Sequence, residues 1–527
     1  MEIIKTVNLT KMFGDFTANN KINISVNAGE IKAIVGENGA GKTTLMNMLY
    51  GLLKPTDGEI YIKGNLTKFD SPTDAMASGI GMVHQHFKLV PSLTVYENVL
   101  LGTEILKTHK IGKKSFSLRL IDKQAEIKVV SELIKKYNFN ISAESRIKDI
   151  SVGARQKVEI LKMLYRDVEI LIFDEPTAVL TPQEILTFFE TLRTLKKQGK
   201  TIILITHKLQ EVMEVSDSVT VIKQGEVIGN LLTKDTSSKE LARLMVGRDV
   251  LLKVDKEYRD YEGKDIVYRL EGLTTKNNDG INVVNNVSFS IRQGEIVGIA
   301  GVEGNGQSEL LDMLTGVLKS TSGKVYLKER EITNFWPRRL RESKVAFIPE
   351  DRYEKGLCQE MLICENMIAG YHGNEEICKY GFISPKKMLD KLDRLIDEYD
   401  IRVSNKDGLI SSLSGGNAQK IIIAREFDSN PDLLIAAQPT RGVDIGAIEY
   451  IHNSILDLQK ANKSILLVSS ELSEIMNLAD RILVMFKGSI IGEVDAKNAT
   501  REEIGFLMAG IRKDSKDEKV DRKAKTN

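Results

Sequence analysis

The segment Gly36-Glu37-Asn38-Gly39-Ala40-Gly41-Lys42-Thr43 carries the most definite chemistry in this sequence. Its glycines let the backbone wrap closely enough to aim N–H groups at phosphate oxygens. A helix predicted to start here adds the partial positive charge of its N-terminus, and Lys42 supplies a full charge at β and γ phosphates. Thr43 offers a hydroxyl to Mg²⁺. The strand-like IKAIV precedes the segment and the helix-like TTLMNMLYGLL follows it, the context that a phosphate-binding loop needs. A Gly-rich turn that binds nothing is the bland alternative, and a second group of residues argues against it. EILIFDE, residues 169–175, is an apolar strand that emerges into two carboxylates. Asp174 is suited to hold Mg²⁺ through its water shell, and Glu175 to polarise an attacking water as general base. Strands often end in acids, but these two lie the right distance downstream of a phosphate loop.

The elements that must position these groups occur twice. NAGEIKAIVGENGAGKTTLMNMLYGLL, from Asn27, returns as RQGEIVGIAGVEGNGQSELLDMLTGVL, from Arg292. Lys42 aligns with Gln307 and Gln85 with Glu350, both 265 apart; Ser151 aligns with Ser414, Asp174 with Ala437 and His207 with Ser470, each 263 apart. An offset that drifts so little across a whole domain marks an internal repeat. Within each copy, β-branched runs ending in Gly alternate with longer amphipathic stretches, the pattern of an α/β sheet. The 527 residues suit two domains of about 250 residues each. The boundaries read as a first domain over 1–250, a short charged linker over 251–265 and a second domain over 266–512. A charged tail over 513–527 is expected to be disordered.

Composition narrows the class. Hydrophobic residues at 42% and charged residues at 28% describe an ordinary globular protein, and a net charge of +1 argues against a nucleic-acid surface. The three cysteines, Cys358, Cys364 and Cys378, show no repeated metal-ligand spacing and read as reduced packing thiols of a cytosolic protein. The N-terminus lacks the features of a signal peptide, and no apolar run reaches the length of a membrane span, so a membrane role requires a partner.

On these motifs both halves resemble ATP-binding-cassette domains, over nearly the whole chain. The resemblance implies two tandem P-loop cassettes, each with a RecA-like α/β core, an antiparallel β subdomain and a helical signature subdomain. It implies that Phe13, in LTKMFGDF, stacks on adenine, and that Gly36, Asn38, Gly39, Gly41, Lys42, Thr43 and Thr44 hold the phosphates. Gln85 matches the glutamine that reaches Mg²⁺ and senses the membrane partner; its neighbours His84 and His86 read as loop residues rather than a metal pair. His207, in ILITH, matches the switch histidine at the γ-phosphate. The first signature, ISVGARQ, contains Ser151 and Gly153 but departs from LSGGQ at Val152 and Ala154; the second, LSGGN, contains Ser414, Gly415 and Gly416 and is closer to the family form. Cassettes pair head to tail, here expected within one chain. The complete first loop would then meet LSGGN, with Ser414 and Gly416 at the γ-phosphate, and the second loop would meet ISVGA.

The second copy departs chemically from the first. Its loop keeps Gly301, Gly304, Gly306 and Ser308 but has Gln307 at the lysine position. LLIAAQ places Ala437 at the metal aspartate and Gln438 at the general base, Ser470 replaces the histidine, and Glu350 replaces the glutamine while keeping a carboxylate able to meet Mg²⁺. An amide cannot take a proton from water. The second site is therefore expected to bind nucleotide without useful turnover, and to hold the halves together.

PTAVLTPQE after the first acidic strand and PTRGVD after the second resemble importers of simple sugars and nucleosides. MVHQHFKLVPSLTVYENVLLG, GVEGNGQSEL and AAQPTRGVDIGAIEYIH resemble the nucleoside branch. The resemblance implies an ATPase using ATP and Mg²⁺ at the cytoplasmic face of the membrane, two integral-membrane permease subunits, an extracytoplasmic solute-binding lipoprotein and no nucleic acid. Segments after Gln85 and Glu350 would receive the permease. A simple sugar importer of the ribose or galactose type is the alternative within the class. Outside it stand soluble tandem-cassette ATPases acting on ribosomes, which resemble each other in a long charged linker and two competent sites, and drug exporters with fused membrane spans.

Overall fold

The computed structural model describes residues 1–511, except 84–87, 112–113, 138, 151, 178–179, 181, 249–255, 257–258, 278, 303, 404 and 444. Two compact units divide the chain: residues 1–180 with 184–250, and residues 181–183 with those from 251 onward. No helix among the described residues is long and apolar enough to cross a membrane.

The first unit is built on a six-stranded sheet in the order Glu226–Leu232, Ser218–Lys223, Ile31–Val35, Thr201–Ile205, Ile170–Asp174, Ile80–Val83. All neighbours run parallel except the antiparallel edge pair Ser218–Lys223 and Glu226–Leu232. Its central strands are buried throughout and largely apolar because both faces are covered. Alternate residues go to opposite cores: Leu171, Phe173, Ile202 and Leu204 face one cluster, whereas Ile170, Ile172, Ile203 and Ile205 face the other. The second unit repeats the sheet in the order Val345–Ile348, Leu433–Ala437, Ser464–Ser469, Ile296–Ala300, Arg481–Phe486, Ser489–Asp495, again with one antiparallel edge pair.

An antiparallel sheet accompanies each core. In the first unit it comprises Phe16–Ile22, Glu2–Phe13, Asp57–Ile62 and Asn65–Thr67, with Ser25–Asn27 off that path. In the second it comprises Asn282–Arg292, Ile266–Lys276, Ser322–Leu327 and Arg330–Glu331. A helical layer completes each unit: Val95–Leu100, Lys123–Lys136 and Val152–Tyr165, matched by Ile363–Ile368, Pro385–Glu398 and Gly415–Asp428. Local chemistry sets the starts of these helices. Thr94 and Glu97 form a reciprocal capping box, and Ser384 caps a helix whose first residue is Pro385. The first helical layer also carries a two-stranded ribbon, Leu106–Ile111 with Lys114–Ile121; its counterpart is the much shorter pair Cys378–Lys379 with Phe382–Ile383.

Residues expected to form a spacer pack on the second unit. Lys256 makes a buried ion pair with Asp480 at 2.7 Å, and its ammonium also donates to the Leu478 carbonyl at 2.7 Å. Tyr261 is buried, and its hydroxyl accepts from Gln459 Nε2 at 2.9 Å. In the first unit the equivalent aspartate, Asp217, pairs instead with Lys196, at the end of the helix Pro182–Lys197, at 2.6 Å. Gln459 takes the place of that lysine, and Lys256 restores the charge from outside the repeat.

Candidate nucleotide site

The phosphate-loop residues gather at the C-terminal end of the sheet, where consecutive parallel strands open into loops. Gly36 follows Ile31–Val35, and Gly41 caps the helix Lys42–Leu49 with a φ of 96°. That angle, and the Ala18 carbonyl 2.5 Å from where a Cβ would stand, leave room only for glycine. Asn19 Nδ2 donates to the Gly41 carbonyl at 3.1 Å and ties the neighbouring hairpin to the loop. Asn38, Gly39 and Thr43 are exposed and Thr44 is half-buried. The Lys42 side chain is buried, with its ammonium donating to the carbonyls of Gly36 and Glu37, each at 2.9 Å. Burial pulls its pKa down against the opposing fields of Glu175, Asp174 and Glu37. It is thus a cation held by its own loop and ready to exchange neutral carbonyls for phosphate oxygens.

Strand register brings the acids and the histidine together. Asp174 lies opposite Ile205 in the parallel pair, so Glu175 and His207 leave adjacent strand ends. Glu175 turns off the strand with a φ of 46°, and its N–H donates to the Ile205 carbonyl at 3.0 Å. His207 Nδ1 stands 3.0 Å from Glu175 Oε1. An ionised carboxylate only accepts, so that contact places a proton on Nδ1. Burial pushes the Glu175 carboxyl up, but the His207 hydrogen bond and the fields of His207, Lys42 and Lys208 outweigh it and hold the group below the usual range. Asp174 differs. It is buried, and burial with the Glu175 charge pushes it up to about 6, although the Lys42 ammonium and the Thr43 hydroxyl pull the other way. A buried carboxylate short of countercharge beside a hydroxyl is a donor set that fits a divalent cation.

The second unit keeps this scaffold with other side chains. Gly306 caps Gln307–Leu314 with a φ of 101°, and the Val283 carbonyl lies 2.5 Å from its missing Cβ. Gly301 is buried and Gly304 exposed. Gln307 Oε1 is buried without a hydrogen-bond partner among the described residues. Gln438 has the same φ of 46°, and its N–H donates to Val468 at 2.7 Å. Its Oε1 accepts from the backbone N–H and the hydroxyl of Ser470, each at 3.1 Å. Ala437 is fully buried and joins the core cluster. The Ser308 hydroxyl donates to Glu350 Oε2 at 2.9 Å.

Among the remaining expected residues, Phe13 is 48% exposed at a strand end, with the Lys11 ammonium 5.2 Å from its ring, so it is a surface aromatic rather than a core residue. Ser414 caps the helix Gly415–Asp428; its hydroxyl takes N–H bonds from Asn417, and the Gly415 carbonyl accepts from Arg352 Nη1 at 2.9 Å. Gly416 is buried. Gly153 belongs to Val152–Tyr165, where an added Cβ would meet the Glu184 carboxylate at 2.5 Å. Gln85 and Ser151 lie outside the described residues, as do His84 and His86. Two asparagines escaped the sequence reading. Asn98 accepts from Val90 N at 2.8 Å and donates to Thr94 O at 2.9 Å; Asn366 accepts from Cys358 N at 2.8 Å and donates to Leu362 O at 3.0 Å. Both are buried and pin the segments that follow Gln85 and Glu350. The repeated dipeptide Glu-Asn in VYEN and ICEN was the available signal.

The family described as ABC transporter matches residues 19–178 and 284–441. The chain belongs to that family, once in each half. Among curated proteins it is 47% identical over 508 residues to the nucleoside import ATP-binding protein NupA of Lactococcus lactis subsp. cremoris, covering 96% of this chain and 98% of that one. It is also 47% identical over 508 residues to the guanosine import ATP-binding protein NupO of Bacillus subtilis, covering 96% and 97%. The ribose import ATP-binding protein RbsA of Caldanaerobacter subterraneus is 36% identical over 513 residues. Among solved structures, the archaeal ribosome recycling factor aABCE1, in complex with the stalk protein aP1, matches 97% of this chain and 94% of its own with a TM-score of 0.61. At 20% identity that likeness concerns the tandem fold alone.

Proposed function

We propose that this chain is the ATP-hydrolysing subunit of an importer of nucleosides, with one working site in the first cassette and a nucleotide-holding site in the second. The observation that carries the catalytic half is the Glu175–His207 pair beside Lys42, set against Gln438–Ser470 on the same backbone. The full-length likeness to two nucleoside import proteins supports the solute class.

Lys42 exchanges its bonds to the Gly36 and Glu37 carbonyls for the β and γ phosphates of ATP, and the N–H groups of the loop surround the phosphates. Phe13 stacks on the base. Thr43, Gln85 and Asp174 are the residues that would hold Mg²⁺, which when bound would supply positive charge to the phosphate oxygens. Glu175, held ionised, takes the proton of the attacking water, and His207 orients that carboxylate and meets the γ-phosphate. In the second cassette Gln438 accepts no proton. Two permease subunits receive the pinned segments after Gln85 and Glu350 at the cytoplasmic face of the membrane, and an extracytoplasmic lipoprotein delivers the solute. ATP turnover by chain and permeases reconstituted in proteoliposomes tests the reading. Glu175→Gln is expected to abolish turnover while ATP still binds, whereas Gln438→Ala is expected to spare it; the opposite order of effects defeats the assignment.

A further inference from the structure

The second cassette has lost the lysine of its loop and the aspartate beside it, yet a cation stands at its mouth. Lys355 Nζ lies 2.9 Å from Asp312 Oδ1 and 3.2 Å from Glu350 Oε1. The other oxygen of Glu350 accepts from the Ser308 hydroxyl at 2.9 Å. One carboxylate therefore bridges the hydroxyl that corresponds to Thr43 and the Lys355 ammonium. The source of that ammonium is a longer segment: Glu97 of the first capping box comes 12 residues after Gln85, whereas its equivalent Glu365 comes 15 after Glu350. The extra length forms a wide helical turn, Arg352–Gly356, which Asp351 caps through the N–H groups of Tyr353 and Glu354. Lys355 is the residue of that turn that points back to the loop helix, through Asp312.

The two sites answer the need for positive charge in opposite ways. In the first, Asp174 is a buried carboxylate that the Lys42 field and the Thr43 hydroxyl only partly offset, and it fits an added cation. In the second, a buried Ala437 stands where that carboxylate would be, and both oxygens of Glu350 are already taken, one by a hydroxyl and one by an ammonium. A metal entering there has to displace Lys355. The ammonium has three N–H donors, two of which are used on carboxylates, and its side chain is 32% exposed. The third has no protein acceptor among the described residues. A phosphate oxygen arriving on the Gly301–Ser308 loop is the acceptor that this donor lacks.

We propose that Lys355 stands in for the divalent cation, so that the second cassette binds a nucleoside triphosphate without metal. This rests on the reading that the second site is occupied, and deepens it: a metal-independent site stays loaded through the cycle while the metal-dependent one fires and empties. Gln307 and Gln438 then face the phosphates as neutral amides, and Lys355 is a cation of the same cassette held at the loop by Asp312 and Glu350.

Photolabelling of the full chain with 8-azido-ATP, followed by assignment of the label to first- or second-cassette peptides, tests this directly. With Mg²⁺ both cassettes are expected to label. With EDTA, label in the first is expected to fall at least about tenfold, whereas label in the second persists. Lys355→Met is expected to remove the EDTA-resistant label and Lys355→Arg to retain it, with unchanged thermal melting showing that both variants fold. Second-cassette label that EDTA removes as completely as the first, or that survives Lys355→Met in EDTA, overturns the proposal. Label confined to the first cassette under every condition overturns both the proposal and the reading of an occupied second site, while leaving the working site untouched.

Discussion

Glu175 and Gln438 occupy the same turn with the same φ of 46°, and the chemistry of the two halves separates at that one functional group. Replacing the Glu175 carboxylate by the amide that the second half already carries is expected to lower steady-state ATP hydrolysis by about 10²–10⁴-fold, the contribution of a general base. Phosphate release by the purified Glu175→Gln chain measures this, and an unchanged rate contradicts the role. Asp174 yields a prediction of the opposite sign on stability. Its folded-state pKa of about 6 lies above the 3.8 of an ordinary aspartate, so ionisation penalises the ligand-free fold. The penalty is absent below about pH 4, grows between about pH 4 and 6, and stays near 3 kcal/mol above that. Asp174→Asn is thus expected to raise the melting temperature of the ligand-free chain at pH 7.5 and to raise it less toward pH 5, while abolishing hydrolysis. Calorimetry on both proteins across that range checks it; a variant that melts no higher at pH 7.5 counts against the account. Lys42, Thr43, Asp174 and Glu175 were legible in the sequence because each sits in a contiguous motif. Lys355 was not, because a lysine in a charged loop reads as solvated until the fold brings Asp312 and Glu350 to it.

At the scale of elements, the segment after Gln85 is held by Asn98, a buried amide bonded to Val90 and Thr94. Removing it leaves buried backbone groups unpaired, a loss of about 1–3 kcal/mol felt locally. Asn98→Ala is expected to weaken coupling more than chemistry: basal hydrolysis by the isolated chain holds, and solute-stimulated hydrolysis in proteoliposomes falls. Equal losses in both measurements contradict a coupling role. The segment over 251–265 was read as a spacer because its charges pattern as solvated. The structure buries Lys256 against Asp480, where the repeat itself supplies only Gln459. Lys256→Ala leaves the Asp480 carboxylate bonded to Ile296 N and Gln459 but without its cation. The expected cost is about 3 kcal/mol in the second cassette, seen as a lower melting temperature. An unaltered transition indicates that the contact is dispensable. A sequence shows that a lysine is present but not which carboxylate 224 positions away it reaches, so the strands and phosphate loops were predictable and this anchor was not.

For the whole molecule, an internal repeat gives one chain two similar scaffolds that carry different side chains at equivalent positions. The repeat, the α/β order and the asymmetry between halves were all legible, because the apolar strand runs and the motif substitutions are written in the sequence itself. The solute class was legible only through resemblance, in segments such as GVEGNGQSEL and AAQPTRGVDIGAIEYIH, and not through any residue chemistry; likeness to nucleoside import proteins agrees with that resemblance. Uptake of labelled nucleosides and of labelled ribose tests the central claim most directly, in cells with the gene deleted, restored, or restored as Glu175→Gln. The account predicts that deletion and Glu175→Gln both abolish nucleoside uptake and leave ribose uptake intact. Loss of ribose uptake instead moves the chain to a sugar importer, and nucleoside uptake that survives both changes contradicts the account.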